Sequence, residues 1–343
     1  MKPAALALLL PLMSTAAHYA VQQSTDHEMD VVRLTDAAHK TEVAIAPRFG
    51  NMAYEMKVNG KNVLFLPTAT IADLKAKPAL AGVPFLWPWA NRIDGDAYWA
   101  NGKKYLLNSD LGNFRYDGNH KPIHGLLAFS PLWQVTNLEA DAKSARVTSR
   151  LEFARHPELM AQFPFAHTVE MTYRLADGIL QVETVLLNHS AEAMPVAVGY
   201  HPYFQLHDTP RDQWKVHVAA RDQYVLSNVL IPTGEKRPNP FHDPQSLEGT
   251  QLDNVFGGLV REGDGRAHFS VAGKKEKIAV VYGPKYTVAV VYAPAGKSFI
   301  CFEPMAAITN AFNLAHTGAY KELQFVPANG EWRESFWIEP SGF

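Results

Sequence analysis

Cysteine is all but missing from this chain. Its 343 residues contain one, Cys301, which excludes an intrachain disulfide and any metal site built from several thiolates. Cys301 sits in the apolar run Phe299-Ile300-Cys301-Phe302, where a thiol reads as a buried structural group rather than a nucleophile. A charge imbalance is missing too. Lys and Arg number 32 against 34 Asp and Glu, a formal net charge of −2, so there is no electrostatic case for nucleic acid or for an anionic membrane surface as a partner. Long stretches of helical period are absent, and Ala69 to Ala81 is the one segment that predicts a helix. Internal repeats and low-complexity tracts are lacking as well. The 23 prolines and 22 glycines are scattered, as punctuation between short elements rather than as a linker.

What the chain does have is period-two alternation. From about Val31 onward, apolar residues recur at every second position. Val147, Ser149, Leu151 and Phe153 share one face. Val169, Met171, Tyr173 and Leu175 share another, and Leu180, Val182, Thr184 and Leu186 resume the period beyond Ala176-Asp177-Gly178. Asn59-Gly60 between apolar runs predicts a hairpin. Hydrophobic residues make up 47% and charged residues 19%, enough for a large core. Many strands joined by short turns predict an all-β fold, a large single-domain antiparallel β-sandwich or barrel with no internal boundary.

The N-terminus has a different character. Lys2 supplies a positive charge, Ala4 to Met13 is an apolar run broken by Pro11, and Ser14-Thr15-Ala16-Ala17 offers small residues. The run is too short to span a bilayer. This layout predicts a secretory signal peptide over residues 1–20, a polar lead-in from Val21 to Asp30, and an exported, periplasmic or secreted protein occupying residues 21–343.

Three stretches break the alternation, and a fourth places a histidine among aromatics. Gly82 to Ile93 is too dense in proline and tryptophan for a central strand. Its Trp87, Trp89, Asn91 and Arg92 suit carbohydrate, since aromatic faces stack on a sugar's apolar face while amide and guanidinium groups bond its hydroxyls. The tryptophans also fit as core residues. His124-Gly125 suggests close backbone approach and an oriented ring. Glu303 ends an apolar strand at Pro304, where a carboxylate is half desolvated or paired. Val198 to Leu206 sets His201 beside Tyr200, Tyr203 and Phe204. Histidine titrates near neutrality, though this stretch alone also fits a core histidine.

Taken in order, Asn91-Arg92-Ile93, His124-Gly125, His201-Pro202-Tyr203-Phe204-Gln205-Leu206, Asp253 before Phe256, and Glu303-Pro304 ahead of Ala311-Phe312-Asn313 resemble the aldose 1-epimerase (mutarotase) family. The resemblance runs from about residue 40 to the end. It implies a galactose mutarotase-like β-supersandwich and an isomerase acting on a hexose, with no cofactor and no metal. It implies Glu303 as general base and His201 as general acid, with Asn91, Arg92, His124, Tyr203 and Asp253 binding substrate. The chain departs from the galactose-specific pattern at Trp87-Pro88-Trp89-Ala90, at Leu126, and at Val290, where those members carry glutamine. Those departures leave the sugar open between a free aldose and a hexose 6-phosphate. Near the expected pocket only Arg92 and the more distant Arg115 could meet a phosphate, which favours the free sugar.

Three other readings of the same residues remain. Two histidines and a carboxylate suit a metal site with open positions, although His124 and His201 lie far apart in sequence. Asp253 and Glu303 suit a glycosidase pair on paper. A carbohydrate-binding protein could keep the pocket without turnover. A monomer or a homodimer is compatible with all of them.

Overall fold

The computed structural model describes residues 18–343. Two antiparallel sheets dominate it. One has nine strands, in the order Gln134–Ala140, Ala145–Glu152, His167–Ala176, Ile179–Asn188, Glu331–Ser341, Lys277–Tyr282, Ala267–Ala272, Lys215–His217 and Gln245–Ser246. The other has eight, and its centre is Leu252–Leu259, Val288–Ala293 and Ile300–Met305, with the two-residue strands Gly199–Tyr200 and Tyr203–Phe204 both pairing with the last of these. Their inner faces pack as a β-sandwich. Tyr200 meets Phe336 at a ring separation of 4.7 Å, and the Tyr200 and Thr184 hydroxyls bond at 2.5 Å.

The alternation read from the sequence governs this packing, because successive side chains of a strand point to opposite faces. Ala145–Glu152 buries every second residue, and Val169, Met171, Tyr173, Leu175, Leu180, Val182, Thr184 and Leu186 are all buried. The turn between the strands His167–Ala176 and Ile179–Asn188 is Asp177-Gly178. Both residues have positive φ, 52° and 72°, as a two-residue hairpin loop requires. Asn59-Gly60 makes the same kind of turn, with φ of 49° and 82°, though the strand after it, Lys61–Asn62, is only two residues long.

One expectation needs correction at the N-terminus. The segment Val21 to Asp30 is not a lead-in. Tyr19–Asp26 and Met29–Asp36 form a hairpin paired along its whole length, the start of a five-stranded sheet. A strand at a sheet edge needs only its backbone ladder and an anchor or two, so its sequence can stay polar. The anchor is Tyr19, buried, whose hydroxyl accepts the backbone N–H of Asp177 at 3.0 Å. The turn places His27 and Glu28 at positive φ, without the Asn or Gly that would have signalled it. Of the expected leader, residues 1–17 lie outside the described residues, His18 precedes the first strand, and Tyr19 and Ala20 are its first two residues.

The expected helix over 69–81 is Ile71–Ala76, opened by a Thr70/Asp73 capping box. It stops before Lys77, which precedes Pro78 and is thereby biased away from helical geometry. Two further short helices were not anticipated, Pro157–Met160 and Ala311–His316.

Candidate active site

Cross-strand register builds the floor of the site. Residues directly opposite in a ladder share a face, so Asp253, Tyr292, Cys301 and Tyr203 form one row across four strands. Val255, Val290 and Glu303 form the next. Glu303 thus stands at the middle of the sheet, with the apolar Val290 beside it where the galactose-specific pattern has glutamine.

Two loops complete the walls, and both depend on unusual backbone. Asn91 and His124 lie at positive φ, 59° and 65°, and the His124 N–H donates to the Asn91 carbonyl at 2.9 Å. Gly125, also at φ 65°, packs so closely that a Cβ would stand 2.2 Å from the Trp87 carbonyl oxygen. The close approach expected of His124-Gly125 is therefore a physical need for glycine. Asn310 ties in the third segment: its N–H donates to the Arg92 carbonyl at 2.8 Å, and its Oδ1 accepts from the Asp94 N–H at 3.0 Å.

These elements enclose a cavity of about 230 Å³ lined by Leu80, Asn91, Arg92, Ile123, His124, His201, Tyr203, Asp253, Tyr292 and Glu303. All seven site residues named from the sequence line it. Leu80, Ile123 and Tyr292 were missed. Tyr292 lies opposite Asp253 in the ladder, a register the sequence does not reveal; Leu80 and Ile123 carry no chemical signal. Trp87 and Trp89 are not in the lining. Both are core residues, and Trp87 Nε1 donates to His167 Nε2 at 2.8 Å. The aromatic wall a sugar would meet is tyrosine, with Tyr203 stacked on His201 at 4.6 Å and 6°.

His201 Nε2 lies 3.3 Å from Glu303 Oε1, and both side chains are almost sealed. Glu303 Oε2 is buried without a partner. Burial, reinforced by the Asp253 carboxylate and opposed by Arg92, holds the Glu303 carboxyl well above its ordinary range. Burial also pushes His201 down to about 3, with Arg115 and Arg92 acting in the same direction. Both groups are thus driven toward their neutral forms, whereas a general base at Glu303 and a general acid at His201 act as carboxylate and imidazolium. The proton count is the same in either arrangement: the pair holds one proton. His124, whose ring lies 5.3 Å from that of His201, is held well below its ordinary value by burial and by His201.

Arg92 is fixed from two sides. Its Nε donates to Asp117 Oδ2 at 2.5 Å and its Nη1 to Asn91 Oδ1 at 2.8 Å. Asp117 is itself anchored, its Oδ1 accepting the backbone N–H groups of Asn119 and Lys121, each at 2.9 Å. Burial raises the Asp117 carboxyl, but the Arg92 bond and these backbone donors outweigh it and hold the group below its ordinary value. Asp253 is exposed at the rim. Among the described residues no group of three His, Cys, Asp or Glu is placed to hold a metal ion. Cys301, in the same row of the floor, is fully buried and outside the cavity lining, and burial pushes its thiol up. A larger cavity of about 540 Å³ beside the N-terminal strands, lined by Trp133 and by polar and aliphatic residues, has neither histidine nor glutamate in its lining.

A family model described as "Aldose 1-epimerase" matches residues 30–339. Two uncharacterized proteins of Escherichia coli K12 are similar in sequence: YihR, 28% identical over 176 residues, 50% of this chain and 53% of that protein, and YphB, 25% identical over 177 residues, 50% and 54%. The chain spans about half the length of these curated relatives. Among solved structures, a galactose mutarotase-like protein of Clostridium acetobutylicum superposes with a TM-score of 0.84 at 20% identity, covering 95% of this chain and 99% of that one. Galactose 1-epimerase of Lactobacillus acidophilus superposes with a TM-score of 0.72 at 13% identity, covering 96% and 100%. At these identities the likeness is one of fold.

Proposed function

The chain belongs to the aldose 1-epimerase family, and we propose that it is a mutarotase that interconverts the α and β anomers of a free, uncharged aldose. The observation that carries this reading is the His201–Glu303 contact at 3.3 Å in the wall of a cavity of about 230 Å³. Pockets for drug-sized ligands run to about 300–1,000 Å³; this one suits a single sugar ring.

Mutarotation needs one proton removed from the C1 hydroxyl and one delivered to the ring oxygen. The C1–O5 bond breaks with its electron pair going to O5, and the C1 hydroxyl oxygen forms the aldehyde C=O. Rotation about C1–C2 turns the aldehyde over, and the reverse transfers close the ring on its other face. A pair holding one proton can serve both ends of this reaction, each group working near its matched pKa. Glu303 accepts the C1 proton and His201 supplies the ring-oxygen proton. The proton that burial places on Glu303 passes to His201 between heavy atoms 3.3 Å apart. Arg92, held by Asp117 and Asn91, and His124 orient the ring so that both transfers are in reach. Asp253 and Tyr292 at the rim meet the distal hydroxyls.

A free rather than phosphorylated sugar follows from the charges. Arg92 already faces Asp117, and Asp253 and Glu303 add carboxyl groups to the same lining. Polarimetry with glucose and glucose 6-phosphate side by side tests this, and a hundredfold preference for the ester would reverse it. We also propose that the chain is exported, on the layout of its first residues.

A further inference from the structure

Glu303 and Val290 stand directly opposite each other in the ladder between Ile300–Met305 and Val288–Ala293. Directly opposed side chains share a face, with Cβ atoms about 4.5–5.5 Å apart. Both residues are only 1% exposed. The two oxygens of the carboxyl group fare differently. Oε1 has His201 Nε2 at 3.3 Å, whereas Oε2 is buried with no partner among the described residues. Buried polar atoms are ordinarily met by a hydrogen-bond partner, and the position across the ladder is one from which the neighbouring strand could supply it. That position carries two methyl groups and no donor. Val255, opposite Val290 on the next strand, extends the same apolar row.

We propose that Val290 is a positioning residue for the acid–base pair: standing across the ladder from Glu303, it withholds a hydrogen-bond donor from Oε2 and so keeps the single proton shared between Glu303 and His201. A donor on Oε2 would favour the ionised carboxylate, and the pair would then give up its proton to solvent at a lower pH. The other groups that face Glu303 act in other ways. His201 shares the proton, while Asp253 and Arg92 act by charge and oppose each other. Tyr203, Tyr282, Tyr292 and Cys301 lie near enough to feel the charge of Glu303. His124 lines the same cavity, and Arg115 bears on His201. All of them stay in place when residue 290 alone is changed, so a displaced titration reports the contact across the ladder. The inference rests on the mutarotase reading for what the proton does; how the carboxyl titrates stands apart from turnover.

Val290→Thr in the full chain tests it, since threonine keeps the branched shape and replaces one methyl with a hydroxyl that can donate. The alkaline limb of kcat/KM, from polarimetric rates on α-glucose, should move to lower pH by about one unit, as a hydrogen bond to a charged group implies. Val290→Ile, branched and without a donor, should keep the wild-type limb, and so should Val255→Thr, the same chemical change one strand further away. Should Val290→Thr fail to fold, Val290→Ser brings the donor in a smaller side chain, and the same shift is expected. Carbon-13 NMR titration of the Glu303 carboxyl, its signal assigned by its loss in Glu303→Gln, reads the displacement without turnover. A limb and a carboxyl titration that stay at their wild-type positions in the folded threonine or serine variant overturn the proposal. An equal shift in Val290→Ile or Val255→Thr also overturns it and assigns the effect to packing. If the carboxyl titration shifts in Val290→Thr while the wild type turns over no aldose, the epimerase reading falls and the role of Val290 beside Glu303 stands.

Discussion

His201 Nε2 and Glu303 Oε1 stand 3.3 Å apart, with only 8% and 2% of their side chains exposed. Glu303 lies on the strand Ile300–Met305, and His201 lies on the link between Gly199–Tyr200 and Tyr203–Phe204, which both pair with that strand. Two such groups, enclosed together, titrate as a pair rather than singly.

The rate should therefore depend on the single proton the pair holds. Free in water, the one-proton state would span the interval between the ordinary values 4.5 and 6.5. Burial exchanges the groups that set its ends. The second proton now goes onto His201, at about 3, and the last comes off Glu303, well above the ordinary carboxylate value. Polarimetric rates in overlapping buffers should show the acid limb of kcat/KM near pH 3 rather than 4.5. A bell confined between about pH 4.5 and 6.5, the ordinary values in water, would mean that the pair is solvated.

Stability should carry the opposite mark of the same burial. The Glu303 carboxyl is raised in the folded chain, so the folded state holds a proton there that the unfolded state releases above its ordinary 4.5. The slope of stability with pH is then negative from that point up to the folded value. Glu303→Gln has no such proton to lose. Its melting temperature should gain on that of the wild type as pH rises above about 4.5, until the folded carboxyl itself ionises. A margin that is flat or shrinking with pH would contradict the buried, neutral carboxyl.

Asp117 is expected to act through Arg92. Asp117→Ala removes the acceptor of Arg92 Nε, a charge-assisted bond of roughly 1.5–3 kcal/mol, so KM should rise about ten- to a hundredfold. The value of kcat should change much less, because the acid–base pair is untouched. Asp117→Asn keeps an acceptor oxygen and should recover part of the loss. Equal effects on KM and kcat in a well-folded Asp117→Ala would argue against a positioning role.

The first strand limits where a leader could be removed. Loss of Tyr19 would break its bond with the Asp177 N–H and the first rung of the ladder, Tyr19 opposite Asp36. Mass spectrometry of protein from its native host should find a start at Ala17 or His18. An intact Met1 would remove the export proposal, and a start at Val21 would show that the chain tolerates losing its anchor.

Much of this was legible in the sequence, for identifiable reasons. Val169, Met171, Tyr173 and Leu175 show their strand because one face is buried and the other is not. Glu303, His201 and Arg92 show themselves because chemistry needs those side chains in an apolar setting. Residues that act by position alone stayed hidden. Asp117 has no local pattern, and its link to Arg92 exists only once the chain folds. Trp87 and Trp89 suggested a sugar platform, yet composition cannot tell a stacking surface from a core, and the core claimed both. The Tyr19–Asp26 strand was missed because His27 and Glu28 turn the chain without a turn residue. The helix Ala311–His316 is too short to show a period.

The central claim is that Glu303 and His201 move the protons that open the ring. Polarimetry of freshly dissolved α-glucose and α-galactose, with wild-type protein and with Glu303→Gln and His201→Asn, tests it most directly. The account predicts acceleration by the wild type and a fall of about 10²–10⁴-fold in either variant, the usual contribution of a general acid or base. Sugar binding by calorimetry should fall far less, and the double variant should lose less than the product of the single losses. Wild-type rates retained by Glu303→Gln would place the base elsewhere. Binding of a sugar by a wild-type protein that accelerates no aldose would make this a binding protein on an enzyme's fold.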